Sequence, residues 1–507
     1  MTDEDEDLSK LLLSAGLVFV GTILGHFAQL LERVLIGRYL STDAYGEFSI
    51  ALAILTVSTT VAMAGYSQGI PRYIARFDDT ADKRGAFISG VLVTVPIAIG
   101  LSAILVLWGD VVTALVFESV DSTLLLSLFV LTIPLVVCFK LGIATIQGHE
   151  NTIYMILAQN VVYPGIRLLL LGTFLAFGMG VYAAGYSYLI AAAVTILTTY
   201  VLLHRIISIK GPYRLHIRKM TAFSVPLVVS TVAATLLTKT DTLMLGYFRS
   251  SSEVGIYNAA FPLAGLLLVV LGTFGYMYLP VASRLDGDGE RDSMRRVYQL
   301  TTKWVFVLTF PLFVTFIVFP SEVITVIFGA SYSSGGTALA ILSIGFFTNA
   351  AVGRNRETLS ALGYTNFILV SNVAALTINI VANLALIPRY GFVGASIASA
   401  GSYITLNALV YLFLAMKFDI SPYNRASLQM FALLFTVAVP VGFGIATLFP
   451  NGPAGLLAFL LTMSAVTLII GAGSRSFEPG DMILVEFVER SIGFEIPYVR
   501  LFIPNPD

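Results

Sequence analysis

Charge is scarce in this sequence. Only 12% of the 507 residues are charged, against about 25% in ordinary soluble domains. That is too little polar surface to cover a soluble chain of this size. A soluble enzyme, a nucleic-acid-binding module and a disordered chain are excluded. Neither sign dominates: the net charge is −1, so bulk charge attracts no acidic polymer. There is one cysteine, Cys138, hence no disulfide framework and no cysteine-built metal site. The four histidines, His26, His149, His204 and His216, lack metal-ligand spacing. No Walker A run occurs. Gly178-x-Gly180-x-x-Ala183 mimics a dinucleotide loop, but it sits in a short turn with no strand before it and is discounted. No cofactor, no metal and no catalytic residue is expected.

What is present is hydrophobic length. The chain is 57% hydrophobic, with a mean hydropathy of +0.87. Apolar runs of roughly 20 residues, the span of a bilayer-crossing helix, recur at approximately 11–36, 45–70, 86–108, 124–147, 152–177, 181–203, 220–247, 254–282, 299–319, 337–361, 366–387, 392–415, 427–449 and 453–472. They are too long and too uniformly apolar for the strands of a membrane barrel. The acidic start, Met1–Lys10, lacks the basic region and cleavage site of a signal peptide, so the first helix is expected to remain.

Lysine and arginine orient the chain. With the N-terminus inside, inner segments hold twenty basic residues and the outer loops only Arg38, Arg249 and Arg389. By the positive-inside rule both termini are cytoplasmic, in a multi-pass plasma-membrane protein. Lysine supplies only 8 of the 29 basic residues, and the inner loops are rich in aspartate. This fits a salt-adapted, haloarchaeal source about as well as it fits ordinary solvated charge runs.

An internal repeat organises the helices. Glu32, Gly37, Gly46 and Pro71 match Asp241, Gly246, Gly255 and Pro280 at one offset of 209, and Gly148 and Asn151 match Gly363 and Asn366 at 215. The repeat spans six helices, an even number, so the copies run parallel. The expected fold is an all-α membrane protein of about fourteen transmembrane helices. Two pseudo-symmetric six-helix lobes surround a central cavity, and two further helices follow. The expected boundaries are an N-lobe at 1–204, a cytoplasmic basic linker at 205–219, a C-lobe at 220–415, the appended helices at 416–473 and a cytoplasmic tail at 474–507. Within the tail, Pro479 could open an interfacial amphipathic helix running through Arg490.

Ionisable groups inside membrane helices are costly and mark a transport path by default. Six cations fall there: Arg33, Lys140, Arg167, Lys239, Arg354 and Arg356. The acids are Glu32, Asp241 and Glu357. The excess of cations suggests a cavity for an anionic group. Arg167 has no acid nearby in sequence and is the first candidate for a phosphate, which its planar fork suits. Lys140 could equally snorkel. Glu32 and Arg33 could be solvated, Arg354, Arg356 and Glu357 could form a structural ion-pair cluster, and Asp241 could carry a coupling ion or only pack. Gly21-x-x-x-Gly25 and Gly65-x-x-x-Gly69 read as close helix contacts.

Two stretches carry a family resemblance. Asn379-Ile-Val-Ala-Asn383-Leu-Ala-Leu-Ile-Pro388-Arg-Tyr-Gly391-Phe-Val-Gly394 and Leu35-Ile-Gly37-Arg-Tyr-Leu-Ser-Thr-Asp-Ala-Tyr45-Gly46-Glu-Phe resemble Wzx-type oligosaccharide flippases of the multidrug/oligosaccharidyl-lipid/polysaccharide superfamily. The resemblance implies a lipid-linked glycan on a polyprenyl or dolichyl phosphate or pyrophosphate as substrate. It would move from the cytoplasmic to the outer leaflet by alternating access, alongside membrane lipid and glycosyltransferases of the same pathway. The alternatives are a cation-coupled exporter of small molecules and, more remotely, a membrane glycosyltransferase or polymerase. The short outer loops leave little room for the latter's catalytic domain.

Overall fold

A computed structural model describes residues 21, 23–118, 122–474, 476–478 and 481–482. The expectations for Met1–Lys10 and for a tail helix through Arg490 fall outside the described residues. The described residues form helices and no strand, because a lipid-exposed backbone must satisfy its own hydrogen bonds. In chain order the long helices are α1 (23–39), α2 (Thr42–Arg76), α3 (Thr80–Leu107), α4 (Ser122–Gly148), α5 (Thr152–Ala176), α6 (Tyr182–Ile206), α7 (Ile217–Phe248), α8 (251–287), α9 (Arg291–Val318), α10 (Gly336–Val352), α11 (Thr365–Phe418), α12 (Arg425–Leu448) and α13 (Pro453–Gly473).

Twelve helices among the described residues are long and apolar enough to cross a membrane, against the fourteen expected. Two places account for the difference. The first helix is described only from its middle onward. The expected eleventh and twelfth helices are the two halves of α11, which meet at a kink at Gly391, where φ 56° and ψ −134° are not helical.

The chain packs as two compact units, each with its own interior. The first comprises residues 1–259 and 380–395, the second 260–379 and 396–507. In the first, repeat-related glycines meet. A Cβ on Gly46 would lie 3.1 Å from the Gly255 nitrogen, and one on Gly255 would lie 3.2 Å from the Gly46 nitrogen. Only hydrogen at both positions lets the starts of α2 and α8 touch backbone to backbone. The Tyr45 hydroxyl donates to the Asn258 carbonyl across the same contact, at 3.0 Å.

The expected basic linker is fastened within the first unit. Arg214 pairs with Asp79 (2.9 Å) and Asp82 (3.1 Å) in the turn between α2 and α3. Arg84 donates to the carbonyls of Ser208 and Pro212, and His216 stacks on Phe77 with centroids 4.6 Å apart. The Asp79 carboxyl is held below its ordinary range, first by the Ala81 N–H it caps and then by Arg214.

The second unit has an aromatic interior in which Phe306 stacks on Phe431 at 3.6 Å between centroids. It also holds a buried ion pair. Lys303 Nζ lies 2.7 Å from Asp481, with side chains 2% and 0% exposed. Trp304 Nε1 and the Glu478 N–H also donate to that carboxylate. This fastens Ser476, Glu478 and Asp481 to the middle of α9.

Candidate functional site: buried charge at membrane depth

In the first unit the charges gather near the C-terminal ends of α1, α5 and α7. Arg167 Nη2 of α5 meets Glu32 Oε2 of α1 at 2.5 Å, both side chains under a tenth exposed. The guanidinium carbon stands 4.3 Å over the Tyr188 ring of α6 and 5.0 Å over that of Tyr163. A lone buried charge would be costly in such surroundings; counterion and aromatic faces compensate it. Residues Leu157–Val162 just ahead form a π-helical turn, a local distortion frequent at functional sites. There Asn160 Nδ2 donates to the Gly21 carbonyl at 3.0 Å.

Arg33 follows Glu32 but points elsewhere, since neighbours on a helix diverge by about 100°. It is half-buried, as is Lys239 of α7. Neither forms an ion pair among the described residues. Lys140 of α4 is exposed and stands apart from any recorded partner.

Asp241 of α7 is fully buried. Its carboxylate accepts from the Tyr257 hydroxyl of α8 at 2.5 Å and from Asn383 Nδ2 of α11 at 2.6 Å. The acid and its repeat mate Glu32 are thus both buried, each joined to other helices. Close by, Arg249 and Glu253 clasp the bend of α11. Arg249 donates to the Ile387 and Pro388 carbonyls, and Glu253 accepts from the Phe392 N–H at 3.0 Å. A cation meets the C-terminus of one half-helix and an anion the N-terminus of the next, as the helix dipoles favour. A side chain at Gly391 would collide with the Glu253 carboxylate.

In the second unit α10 stops at Gly353, with φ 61° and ψ −139°, and a short helix, Asn355–Ala361, follows. Arg354 at the break is 7% exposed. Its Nη1 lies 2.7 Å from Glu357 Oε1, the pairing that three-residue spacing permits. Its Nε and Nη2 have no hydrogen-bond partner among the described residues. Arg356 is half-buried. No group of three metal-ligating side chains occurs among the described residues.

Sequence reasoning selected most of these charges but missed three features: the Arg249–Glu253 clasp, Asn383 as partner of Asp241, and the Lys303–Asp481 pair. Pro388 and Gly391 signal a bend, and Asn383 is a polar residue in an apolar run; both hints were readable. Nothing in the chain links Lys303 to Asp481 across 178 positions.

A bundle of apolar helices with ionised side chains paired at membrane depth defines a multi-pass α-helical membrane protein of the carrier type. The chain belongs to the polysaccharide biosynthesis protein family, whose pattern it matches over residues 11–286; a MatE pattern matches residues 226–385. It is 23% identical over 470 residues to a Haloferax volcanii protein named "Probable low-salt glycan biosynthesis flippase Agl15", covering 89% of this chain and 94% of that one. Among solved structures, its fold is similar to that of the lipid II flippase MurJ in an inward closed conformation. The TM-score is 0.73 at 15% identity, covering 90% of this chain and 98% of that one. A multidrug resistance MATE family transporter in an inward-facing conformation aligns with TM-score 0.65 at 14% identity, covering 77% and 94%.

Proposed function

We propose that this protein is a flippase for lipid-linked oligosaccharides, carrying them from the cytoplasmic to the outer leaflet. The observation that carries the reading is the match to the polysaccharide biosynthesis family over residues 11–286, in a chain whose helices hold the half-buried cations Arg33 and Lys239. A sugar phosphate crossing hydrocarbon alone would lose hydrogen bonds worth several kcal/mol each. A polar, cationic passage removes that barrier without bond chemistry. In this reading Arg33 and Lys239 receive the phosphate, Lys140 adds positive potential, and Arg167 is steadied by Glu32. The repeat halves, 1–204 and 220–415, are the moving lobes, both termini face the cytoplasm, and glycosyltransferases of the pathway deliver the substrate.

The test is the leaflet distribution of lipid-linked sugars in cells with and without the gene. Accumulation on the cytoplasmic side with loss of surface glycan is expected on deletion, and R33Q/K239Q should fail to restore it. Full restoration by that variant would remove the pair from the transport path. A second reading, a cation-coupled exporter, draws on the MatE match and on buried Asp241. Dye transport by reconstituted protein with no movement of lipid-linked sugar would favour it, and D241N should then abolish the dependence on an ion gradient.

A further inference from the structure

The second unit holds an arginine whose geometry the first unit's cluster does not explain. In Arg354, Glu357 occupies only Nη1. The unpartnered atoms, Nε and Nη2, are the two that share one edge of the guanidinium. That edge presents two parallel N–H donors, the arrangement that grips two oxygens of one phosphate. Buried polar groups in native structures are nearly always satisfied, and an exception calls for a cause. Arg167 differs here, because its Nη2 is already committed to Glu32.

The backbone points the same way. A break in the backbone of an apolar helix is tolerated where it is enclosed or lines a polar passage. This break is built in. The Tyr298 hydroxyl donates to the Val352 carbonyl at 2.6 Å. The Tyr278 hydroxyl and Thr358 Oγ1 are 2.6 Å apart. At Gly353 a Cβ would collide with the Thr302 side chain. The break therefore aims Arg354 in one fixed orientation. Tyr278 lies toward the end of α8 and Tyr298 near the start of α9. Arg284, Arg291, Arg295 and Arg296 cluster around the connection between those ends, which places them on the cytoplasmic side.

We propose that Arg354 is a separate loading station, which takes a phosphate or diphosphate group on its Nε–Nη2 edge at the cytoplasmic end of the second unit. The assignment of that group to a lipid-linked glycan rests on the flippase reading. Glu357 holds Nη1 and so leaves the two-donor edge without a partner among the described residues. A lysine cannot replace it, because a single ammonium offers charge without the paired donors.

The experiment measures binding of farnesyl diphosphate, inorganic pyrophosphate and farnesol to the full-length protein in nanodiscs. The R33Q/K239Q background removes the first unit's cation pair. Farnesyl diphosphate should still bind there, and adding R354K should weaken it about tenfold, with farnesol binding unchanged. Equal binding of pyrophosphate would assign the station to phosphate alone, and preference for the prenyl form would assign it to a lipid headgroup. Loss of all diphosphate binding in R33Q/K239Q, or unchanged binding on adding R354K, overturns the proposal. In reconstituted flipping, R354K alone should raise the half-saturating concentration about tenfold and leave the plateau within twofold. A lowered plateau with unchanged half-saturation overturns the loading role. A wild type that binds diphosphate through Arg354 but does not flip lipid-linked sugar would sink the flippase reading and leave the anion site standing. A wild type that flips, with R354K indistinguishable from it, would sink the station alone.

Discussion

Three arginine–carboxylate pairs in this protein share their chemistry and differ in their surroundings. Arg167–Glu32 is sealed, with side chains 8% and 3% exposed. Arg354–Glu357 is sealed on the arginine side only, at 9% and 31%. Arg214–Asp79 is open, at 61% and 48%. Water screens the last, so the pair is worth little. In the first, neither charge can be solvated by water if the other is removed, so each depends on its partner. The middle pair combines a buried fork with a partner that reaches solvent. The same two residue types thus yield a sealed joint, a half-sealed pair and a surface staple.

The sealed pair should show the largest effect. E32Q leaves Arg167 buried without a counter-charge and should cost about 3 kcal/mol, read as a lowered melting temperature of the purified protein. The double variant E32L/R167L, which removes both charges, should recover most of that loss. A single variant melting like wild type would mean that the guanidinium finds solvent, and the contrast with Arg214 would collapse. Lys303–Asp481 repeats the test in the second unit. D481N keeps the shape but strands a buried ammonium, and should destabilise by a comparable amount, about 3 kcal/mol. An unchanged melting temperature there would show that Asp481 does not depend on the ion pair to stay docked.

The half-sealed pair should behave differently. E357Q frees Nη1 while the carboxylate's place is partly solvated, so stability should fall by no more than about 1 kcal/mol. R354Q should affect diphosphate binding far more than melting. If E357Q destabilises as much as E32Q, Arg354 belongs with the structural joints.

How far the sequence foretold this arrangement depends on the range over which each feature is encoded. Helical class and membrane depth follow from composition and run length, properties local to each segment. The repeat was visible because Gly46 and Gly255 must both be small for two helix starts to meet, and a steric need leaves its mark in residue type. Arg354 and Glu357 could be paired from spacing alone, because one helical turn joins them. Arg167 and Glu32 could not: 135 residues separate them, and an isolated arginine in an apolar run reads the same whether it awaits a ligand or already holds an acid. Asp241 with Asn383, and Lys303 with Asp481, are hidden for the same reason. The two apolar runs 366–387 and 392–415 were legible as separate helices because Pro388 and Gly391 mark the bend between them, where the backbone leaves helical geometry.

The open pair supplies the smallest effect and the cleanest sign. The Asp79 carboxyl is held below its ordinary value of 3.8, chiefly by the Ala81 N–H that it caps and further by Arg214. A depressed carboxyl contributes stability above its unfolded value and loses it as pH falls through the folded value. Its contribution is therefore constant near neutrality and disappears only below about pH 4. D79N keeps the cap, since asparagine serves there equally well, but cannot titrate. The melting temperature of D79N should match wild type at pH 3 and lie slightly below it at pH 6. A gap that widens on acidification would reverse the sign and place the destabilised charge elsewhere. The gap at pH 6 should also shrink with added salt, which screens an exposed pair, whereas the cost of E32Q should hardly move.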